Sequence, residues 1–232
     1  MRKEKFVPTL SAIAEFEPVE ELLGPVPAMT QQHYGQFIRT NRNSPHNNGI
    51  CAGYAGSWLE HRAWNQPVHP YIFDSHDNLG GVITKLQAAQ RPGELEPMFS
   101  VANLRVLNNV YINVLDGVNL PDECAIYVSI RTNLGKGHGF AIDTRDGDDP
   151  QLADVNSGIH RLVGRSTSQI YEYHVAAFQP MFADQDDKIV SVEYYTVASS
   201  LPHAIANPIS ARPAAHGHDI RPVLREIRDF LK

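Results

Sequence analysis

Apolar residues recur every three to four positions in the first half of the chain, and this spacing predicts helices. One helix is predicted over about residues 50–62, with Asn47 or Asn48 as its N-cap. The same spacing predicts two further helices, over residues 78–90 and 98–115. Cys51 is therefore expected in the first turn of a helix.

After Pro121 the hydrophobic period falls to two, which predicts β-strands. Residues 124–131 alternate between apolar and polar side chains and predict a half-buried strand. Further strands are predicted over residues 138–143, 152–156 and 189–197. Asp146-Gly147 lies between the second and third strands and indicates a hairpin. Helices followed by antiparallel strands predict an α+β fold.

The two ends of the chain differ in composition from its centre. Residues 1–30 contain four prolines and are predicted to form an arm or leader, with at most a helix of about three turns over residues 10–23. Residues 31–48 are polar and rich in turn formers, which predicts a loop. The tail, residues 201–232, is rich in proline up to a short amphipathic helix that is expected to begin at Pro222 and to pack on the domain. The central domain is therefore predicted to span residues 31–200.

Composition and charge exclude several classes of protein. The chain has 232 residues, of which 42% are hydrophobic, enough for one soluble domain. Its net charge is −6 and it has no long basic block, which argues against nucleic acid as a partner. Two cysteines cannot form a disulfide framework, so free thiols are expected. The sequence shows neither an apolar stretch of membrane-spanning length nor the layout of a signal peptide, which predicts a soluble protein.

Cys51, His138 and Asp154 are the candidate catalytic residues. A thiolate is stabilised in the first turn of a helix, so Cys51 is a candidate nucleophile. His138 is flanked by Gly137 and Gly139, which would leave its imidazole open to a cleft as a base. We therefore expect a cysteine whose thiol is activated by a histidine.

A hairpin symmetric about Gly147 would pair Phe140 with Asp154 and His138 with Asn156. His138 and Asp154 would then share one face of the sheet as diagonal neighbours. Asp154 is predicted to accept the Nδ1–H of His138, which would leave Nε2 for the thiol. Asn156 is a second candidate for this orienting role.

Three blocks of sequence resemble the YopT-type cysteine proteases, which are papain-like effectors and toxin domains of bacteria. They are Gly49-Ile50-Cys51 with Trp58 on the same helix, Gly137-His138 at a strand start, and Asp154-Val155-Asn156-Ser157-Gly158. The resemblance covers about residues 47–161. Val155 stands where the family has proline after the aspartate, and Gly139 stands where it has alanine after the histidine.

The resemblance implies a papain-like fold in which a Cys-His-Asp triad cleaves a specific host-cell protein through a thioester, without a cofactor. It also implies delivery into the host cytoplasm by a specialised secretion system, for which a secretion chaperone would be a second partner. Papain-like enzymes place an amide before the cysteine to stabilise the oxyanion. Asn47 is the candidate for that role, and Gln36 is the other choice.

Two alternative functions stay open at this point. The same triad would serve a glutamine deamidase or transglutaminase-like acyl transferase, and a buried Cys51 would indicate a binding module without catalytic activity. Cys124 lies on an alternating strand and is predicted to be a core residue. His203, His216 and His218 have no acidic or thiol partner at metal spacing, so no metal site is predicted.

Overall fold

The structure is a computed structural model, and it describes residues 20–41, 49–63, 82–90, 94–113, 118–135, 137–178 and 189–200. These residues belong to one compact unit that ends at Ser200. The predictions for Asn47, for most of the arm and for the tail with its helix from Pro222 lie outside the described residues.

An antiparallel sheet of seven strands forms the centre of the described structure. The strands are β1 (Glu20–Leu23), β2 (Leu104–Asn113), β3 (Ala125–Thr132), β4 (Gly137–Asp143), β5 (Gln151–Asp154), β6 (Gly158–Arg161) and β7 (Ile189–Ser199). Their order across the sheet is β1-β6-β5-β4-β3-β7-β2, and the hydrogen-bonded neighbours all run antiparallel. The strands β4 and β5 are therefore neighbours near the middle of the sheet.

Helices cover both faces of this sheet. They are α1 (Ala28–Asn41), α2 (Cys51–Ala63), α3 (Val82–Ala89), α4 (Glu96–Val101) and α5 (Thr167–Phe178). Tyr127 and Ala141 on β3 and β4 pack in one core with α2, whereas Ile126 and Phe140 pack in a second core with α5. Because successive side chains of a strand point to opposite faces, α2 and α5 lie on opposite sides of the sheet.

The α+β fold predicted from the sequence is confirmed, with Cys51 at the N-terminus of a helix that packs against an antiparallel sheet. The predicted hairpin register is confirmed as well. The strands β4 and β5 pair Ala141 with Ala153 and Ile142 with Leu152, which is the arrangement symmetric about Gly147. Within the described residues, no helix combines the length and apolarity that crossing a bilayer requires.

Three local predictions were wrong. The predicted helix over residues 98–115 ends at Val101, because Asn103 takes a φ of 52° and the chain continues as β2, paired with β7. The predicted loop over residues 31–48 is largely α1, whose buried Tyr34 and Ile38 are one helical turn apart. Residues 20–23, the last four of the predicted helix over residues 10–23, form the edge strand β1, which pairs with β6, and residues 10–19 lie outside the described residues.

Candidate active site

Helix α2 is anchored at both ends, and this fixes the position of Cys51. Near its N-terminus the Gly53 N–H donates to Gln87 Oε1 on α3 at 2.8 Å. A Cβ at Gly53 would lie 2.2 Å from a backbone oxygen of α3, so only glycine allows this close approach. At the other end Arg62 pairs with Asp143 and with Asp149, each at 2.8 Å. The first residue of α2 is thus held in place from two sides.

Cys51 is partly accessible and lies in hydrogen-bond contact with His138. Its sulfur also accepts a hydrogen bond from the backbone N–H of Gly139. Burial by itself raises the pKa of the Cys51 thiol, but the hydrogen bond and positive charge of His138, together with the Gly139 N–H, outweigh it and lower the pKa. The site therefore favours a thiolate paired with an imidazolium.

Asp154 completes this chain of hydrogen bonds from a fully buried position at the end of β5. Its Oδ2 contacts Nε2 of His138, and its Oδ1 accepts the backbone N–H of Asn156 at 2.6 Å. Burial lowers the pKa of His138, but the charge and hydrogen bond of Asp154 outweigh this effect and raise it to about 10. Burial conversely raises the pKa of Asp154, but His138, with a smaller share from His174 on α5, outweighs this effect and holds that pKa well below its usual range.

The prediction of which ring nitrogen faces Asp154 was wrong. Asp154 contacts Nε2 of His138, which leaves Nδ1 as the ring nitrogen for Cys51. The paired register of β4 and β5 ends at Ala141 and Ala153, so His138 reaches Asp154 diagonally. Nε2 lies farther from the backbone than Nδ1 and is the ring atom that spans this longer separation.

The other predicted residues lie in different surroundings. The side-chain oxygen of Asn156 accepts a hydrogen bond from Gln31 Nε2 at 3.1 Å, so Asn156 reaches Asp154 through its backbone rather than its side chain. Gln36 is exposed on α1. The position of Asn47 is outside the described residues.

Sequence reasoning missed His174, which lies on α5 and is buried. Its Nε2 is 3.0 Å from Oδ2 of Asp154, the same oxygen that contacts His138. No local pattern in the sequence points to this contact, because it depends on how α5 packs across the sheet.

Sequence reasoning also missed Tyr127, which explains the glycine after His138. A Cβ at position 139 would lie 2.1 Å from the Tyr127 hydroxyl oxygen and 2.8 Å from the adjacent ring carbon. The phenol therefore occupies the volume that an alanine side chain would need. Burial, and next the charge of Cys51, raise the pKa of Tyr127 well above its usual value, so the phenol stays neutral beside the thiolate.

No protein-family model and no curated protein matches this sequence. Among solved structures, the chain is similar to the crystal structure of the Pseudomonas avirulence protein AvrPphB, with 16% sequence identity and a TM-score of 0.44. The similarity covers 66% of this chain and 93% of that one. The resemblance to the YopT-type proteases thus stays a resemblance of motifs.

His138, Asp154 and His174 are also a set of side chains that could bind a metal. Two ligands of a tetrahedral zinc ion lie about 3.3 Å apart, as bond lengths near 2.0 Å require. The 3.0 Å between His174 and Asp154, and the still closer contact of His138, fit hydrogen bonds instead. The group is best described as a carboxylate with two imidazole partners.

The second cysteine, Cys124, lies immediately before β3 and is also partly accessible. Its thiol donates a hydrogen bond to the carbonyl oxygen of Pro121 at 3.1 Å. Burial, and then the carboxylates of Asp143 and Asp122, raise its pKa to about 11. Cys124 is thus a protonated thiol that packs against the core on the α5 side of the sheet.

Proposed function

We propose that the protein is a cysteine protease that cleaves a specific protein substrate, with Cys51, His138 and Asp154 as its catalytic triad. The observation that supports this proposal is the chain of hydrogen bonds from a partly accessible thiol at a helix N-terminus, through His138, to a buried carboxylate. A buried structural cysteine has no need of such partners, whereas a thiol nucleophile does.

The proposed reaction proceeds in two steps. Cys51 Sγ bonds to the substrate carbonyl carbon, and the C–N bond breaks as His138 gives its proton to the leaving amine. Water then attacks the thioester, gives a proton to His138 and displaces the Cys51 sulfur. Asp154 holds the His138 ring and stabilises its charge throughout. The backbone N–H of Cys51, which the helix itself does not use, and Asn47 are the proposed partners of the oxyanion.

The identity of the substrate follows only from the motif resemblance. It extends the proposal to a host-cell protein, reached after delivery by a specialised secretion system with its chaperone. The thiol and the imidazole supply both the nucleophile and the acid, so the proposed chemistry requires no cofactor.

The first test uses Cys124 as a reference thiol within the same molecule. Iodoacetamide labelling of each cysteine would be followed by peptide mass spectrometry between about pH 4.5 and 9.5, in the wild type and in His138→Ala. We expect Cys51 to be labelled rapidly down to about pH 5 and Cys124 only at alkaline pH. His138→Ala should abolish the rapid labelling of Cys51. Cys51 labelling that follows an ordinary thiol pKa near 8.5 in both proteins would contradict the proposal and favour a binding module.

A second test separates proteolysis from the other reactions of the same triad. Host-cell lysate would be incubated with the wild type or with Cys51→Ala, and new peptide N-termini would be compared with changes in intact side chains. New N-termini that depend on Cys51 support a protease. A gain of about one dalton at a glutamine, without cleavage, would instead identify a deamidase.

A further inference from the structure

His174 approaches the triad from the side of the sheet opposite to Cys51. Cys51 begins α2, which packs in the core on one face, whereas α5 packs with Phe140 on the other. The His174 ring meets Phe140 edge-on, with centroids 4.5 Å apart. Its Nε2 reaches Asp154 Oδ2 at 3.0 Å. Asp154 is thus contacted by His138 on β4 and by His174 on α5, whereas Cys51 on α2 is linked to it through His138.

Burial keeps His174 neutral, and its contact with Asp154 indicates which ring nitrogen carries the proton. Burial lowers its pKa, and this outweighs the opposing effect of Asp154, so the ring is neutral. The charged or titratable groups that face it are Asp154 on β5, His138 on β4 and His160 on β6. A neutral imidazole donates to a carboxylate only through a protonated nitrogen, so His174 carries its proton on Nε2. A neutral donor orients Asp154 without cancelling the charge that His138 needs.

Asp154 needs such an anchor because of its place in the chain. It is the last residue of a strand of four residues and is followed by a turn. The Asn156 N–H secures Oδ1, but the backbone does not secure Oδ2. Helix α5 supplies a rigid support, since its Thr167 N–H bonds to Asp122 Oδ1 at 2.7 Å and its Ser168 hydroxyl accepts the Leu120 N–H at 2.9 Å.

We propose that His174 is a positioning residue of the active site, whose Nε2–H fixes Asp154 Oδ2 in the orientation that orders His138 towards Cys51. This inference rests on the proposed function, because it assigns His174 a role only within a working triad. His174 itself lies behind Asp154 and acts through it.

The test compares two substitutions of His174 by the pH profile of Cys51 alkylation. His174→Leu removes the donor, and we expect the labelling midpoint to rise by about one pH unit and the rate near pH 5.5 to fall about tenfold. His174→Gln keeps an N–H near the position of Nε2 and should retain most of the wild-type profile. Tyr171→Leu, one turn earlier on the same face of α5, loses packing against Phe140 but leaves the donors of Asp154 intact, so its midpoint should not move.

Each outcome separates this inference from the proposed function. An ordinary thiol midpoint in the wild type would overturn the triad itself. A low wild-type midpoint that His174→Leu leaves unchanged, or that Tyr171→Leu raises equally, would overturn the role of His174 alone. If His174→Leu does not fold, ¹⁵N NMR spectra of the wild-type histidines test the inference through the protonation state and tautomer of His174. A neutral Nε2–H tautomer of His174 at about pH 7.5 is expected, and a protonated ring or an Nδ1–H tautomer at that pH would overturn the inference.

Discussion

Cys51 and Cys124 are both free and both partly accessible, yet their surroundings shift their pKa values in opposite directions. Cys51 accepts hydrogen bonds from an imidazole and a backbone N–H, whereas Cys124 donates its own proton to a carbonyl oxygen. Accessibility is therefore a poor guide to thiol reactivity in this protein. Burial raises the pKa of both thiols, and only at Cys51 do a hydrogen-bonded imidazole and a backbone N–H outweigh it.

Carboxylates lie near both thiols, and the comparison shows why they act differently. Asp143 and Asp122 raise the pKa of Cys124, and Arg145 lowers it too little to compensate. Asp154 also raises the pKa of Cys51, but this effect is the smallest of those acting on that thiol. The imidazole of His138 lies between the thiol and the carboxylate. Asp154 raises the pKa of His138, and the resulting imidazolium cation stabilises the thiolate of Cys51.

Of the variants considered, Asp154→Asn is expected to reduce the difference in reactivity between Cys51 and Cys124 the most. The amide cannot stabilise the His138 cation, so the Cys51 thiolate loses its counter-charge. We expect Cys51 alkylation near pH 5.5 to slow by about a hundredfold, and turnover of any identified substrate to fall by at least as much. The rates at Cys51 and at Cys124 would be measured in the same samples, and Cys124 should not change.

Asn156→Ala is the matched control for Asp154→Asn. Its side chain bonds to Gln31, and the N–H that holds Asp154 belongs to the backbone, which alanine retains. We expect its effect on the Cys51 rate to stay below about threefold. Equal losses in the two variants would show that the turn after β5, rather than the Asp154 carboxylate, controls the thiol.

The ion pair between His138 and Asp154 is also expected to stabilise the fold, by an amount that depends on pH. The pKa of His138 is raised to about 10 in the folded state, above its unfolded value near 6.5. Its ion pair with Asp154 therefore stabilises the fold fully below about pH 6.5, and this contribution is lost as the pH rises through the folded pKa. The same contribution is lost at acid pH, because Asp154 becomes protonated as the pH falls below about 4 towards its lowered folded pKa.

The measurement is the urea unfolding free energy of His138→Gln against its parent, both with Cys51→Ala and Cys124→Ala so that neither thiol titrates. This background removes the effect of Cys51 on the pKa of His138 and keeps the larger effect of Asp154. The parent should be more stable by about 3 kcal/mol between pH 4 and 6.5, and the difference should shrink towards alkaline pH. A difference that stays constant from pH 5 to 9 would mean that His138 is not charged in the folded protein.

The sequence predicts best what depends on neighbours along the chain. The Asp146-Gly147 hairpin is such a case, because a short connection fixes the register and so brings His138 and Asp154 to one face. The helix N-terminus at Cys51 is another, since the spacing of the apolar residues suffices to place it. Both confirmed predictions concern segments of fewer than about twenty residues.

Contacts between distant segments could not be predicted in this way. Within residues 104–113 the apolar side chains recur at a spacing that also suits a helix. The segment is a strand because it pairs with β7, more than eighty residues away in the chain. Polar α1 is stabilised by burying Tyr34 and Ile38 in the core rather than by its own pattern. The approach of His174 to Asp154, and that of Tyr127 to Gly139, likewise exist only once the sheet and its helical layers have formed.

The smallest expected effect comes from Gly139→Ala, which tests the close packing behind the Cys51 thiolate. Gly139 does not have a positive φ, so its backbone accepts alanine and only the contact with Tyr127 opposes the change. Overpacking of this kind costs about 1–3 kcal/mol. The displaced Gly139 N–H should also raise the labelling midpoint of Cys51 slightly, while Cys124 keeps its own. Thermal unfolding and the alkylation profile would measure the two effects.

Two further variants show whether the Tyr127 hydroxyl is the cause. Gly147→Ala adds the same methyl group where nothing lies within 4 Å, so it should leave both measurements unchanged. Tyr127→Phe combined with Gly139→Ala removes the 2.1 Å contact but keeps the ring carbon at 2.8 Å, so only part of the lost stability should return. If the double variant is no more stable than Gly139→Ala alone, the glycine is required by the ring or the strand rather than by the hydroxyl. Recovery would instead link the identity of residue 139 to that of residue 127, so that an alanine next to His138 requires a smaller side chain on β3.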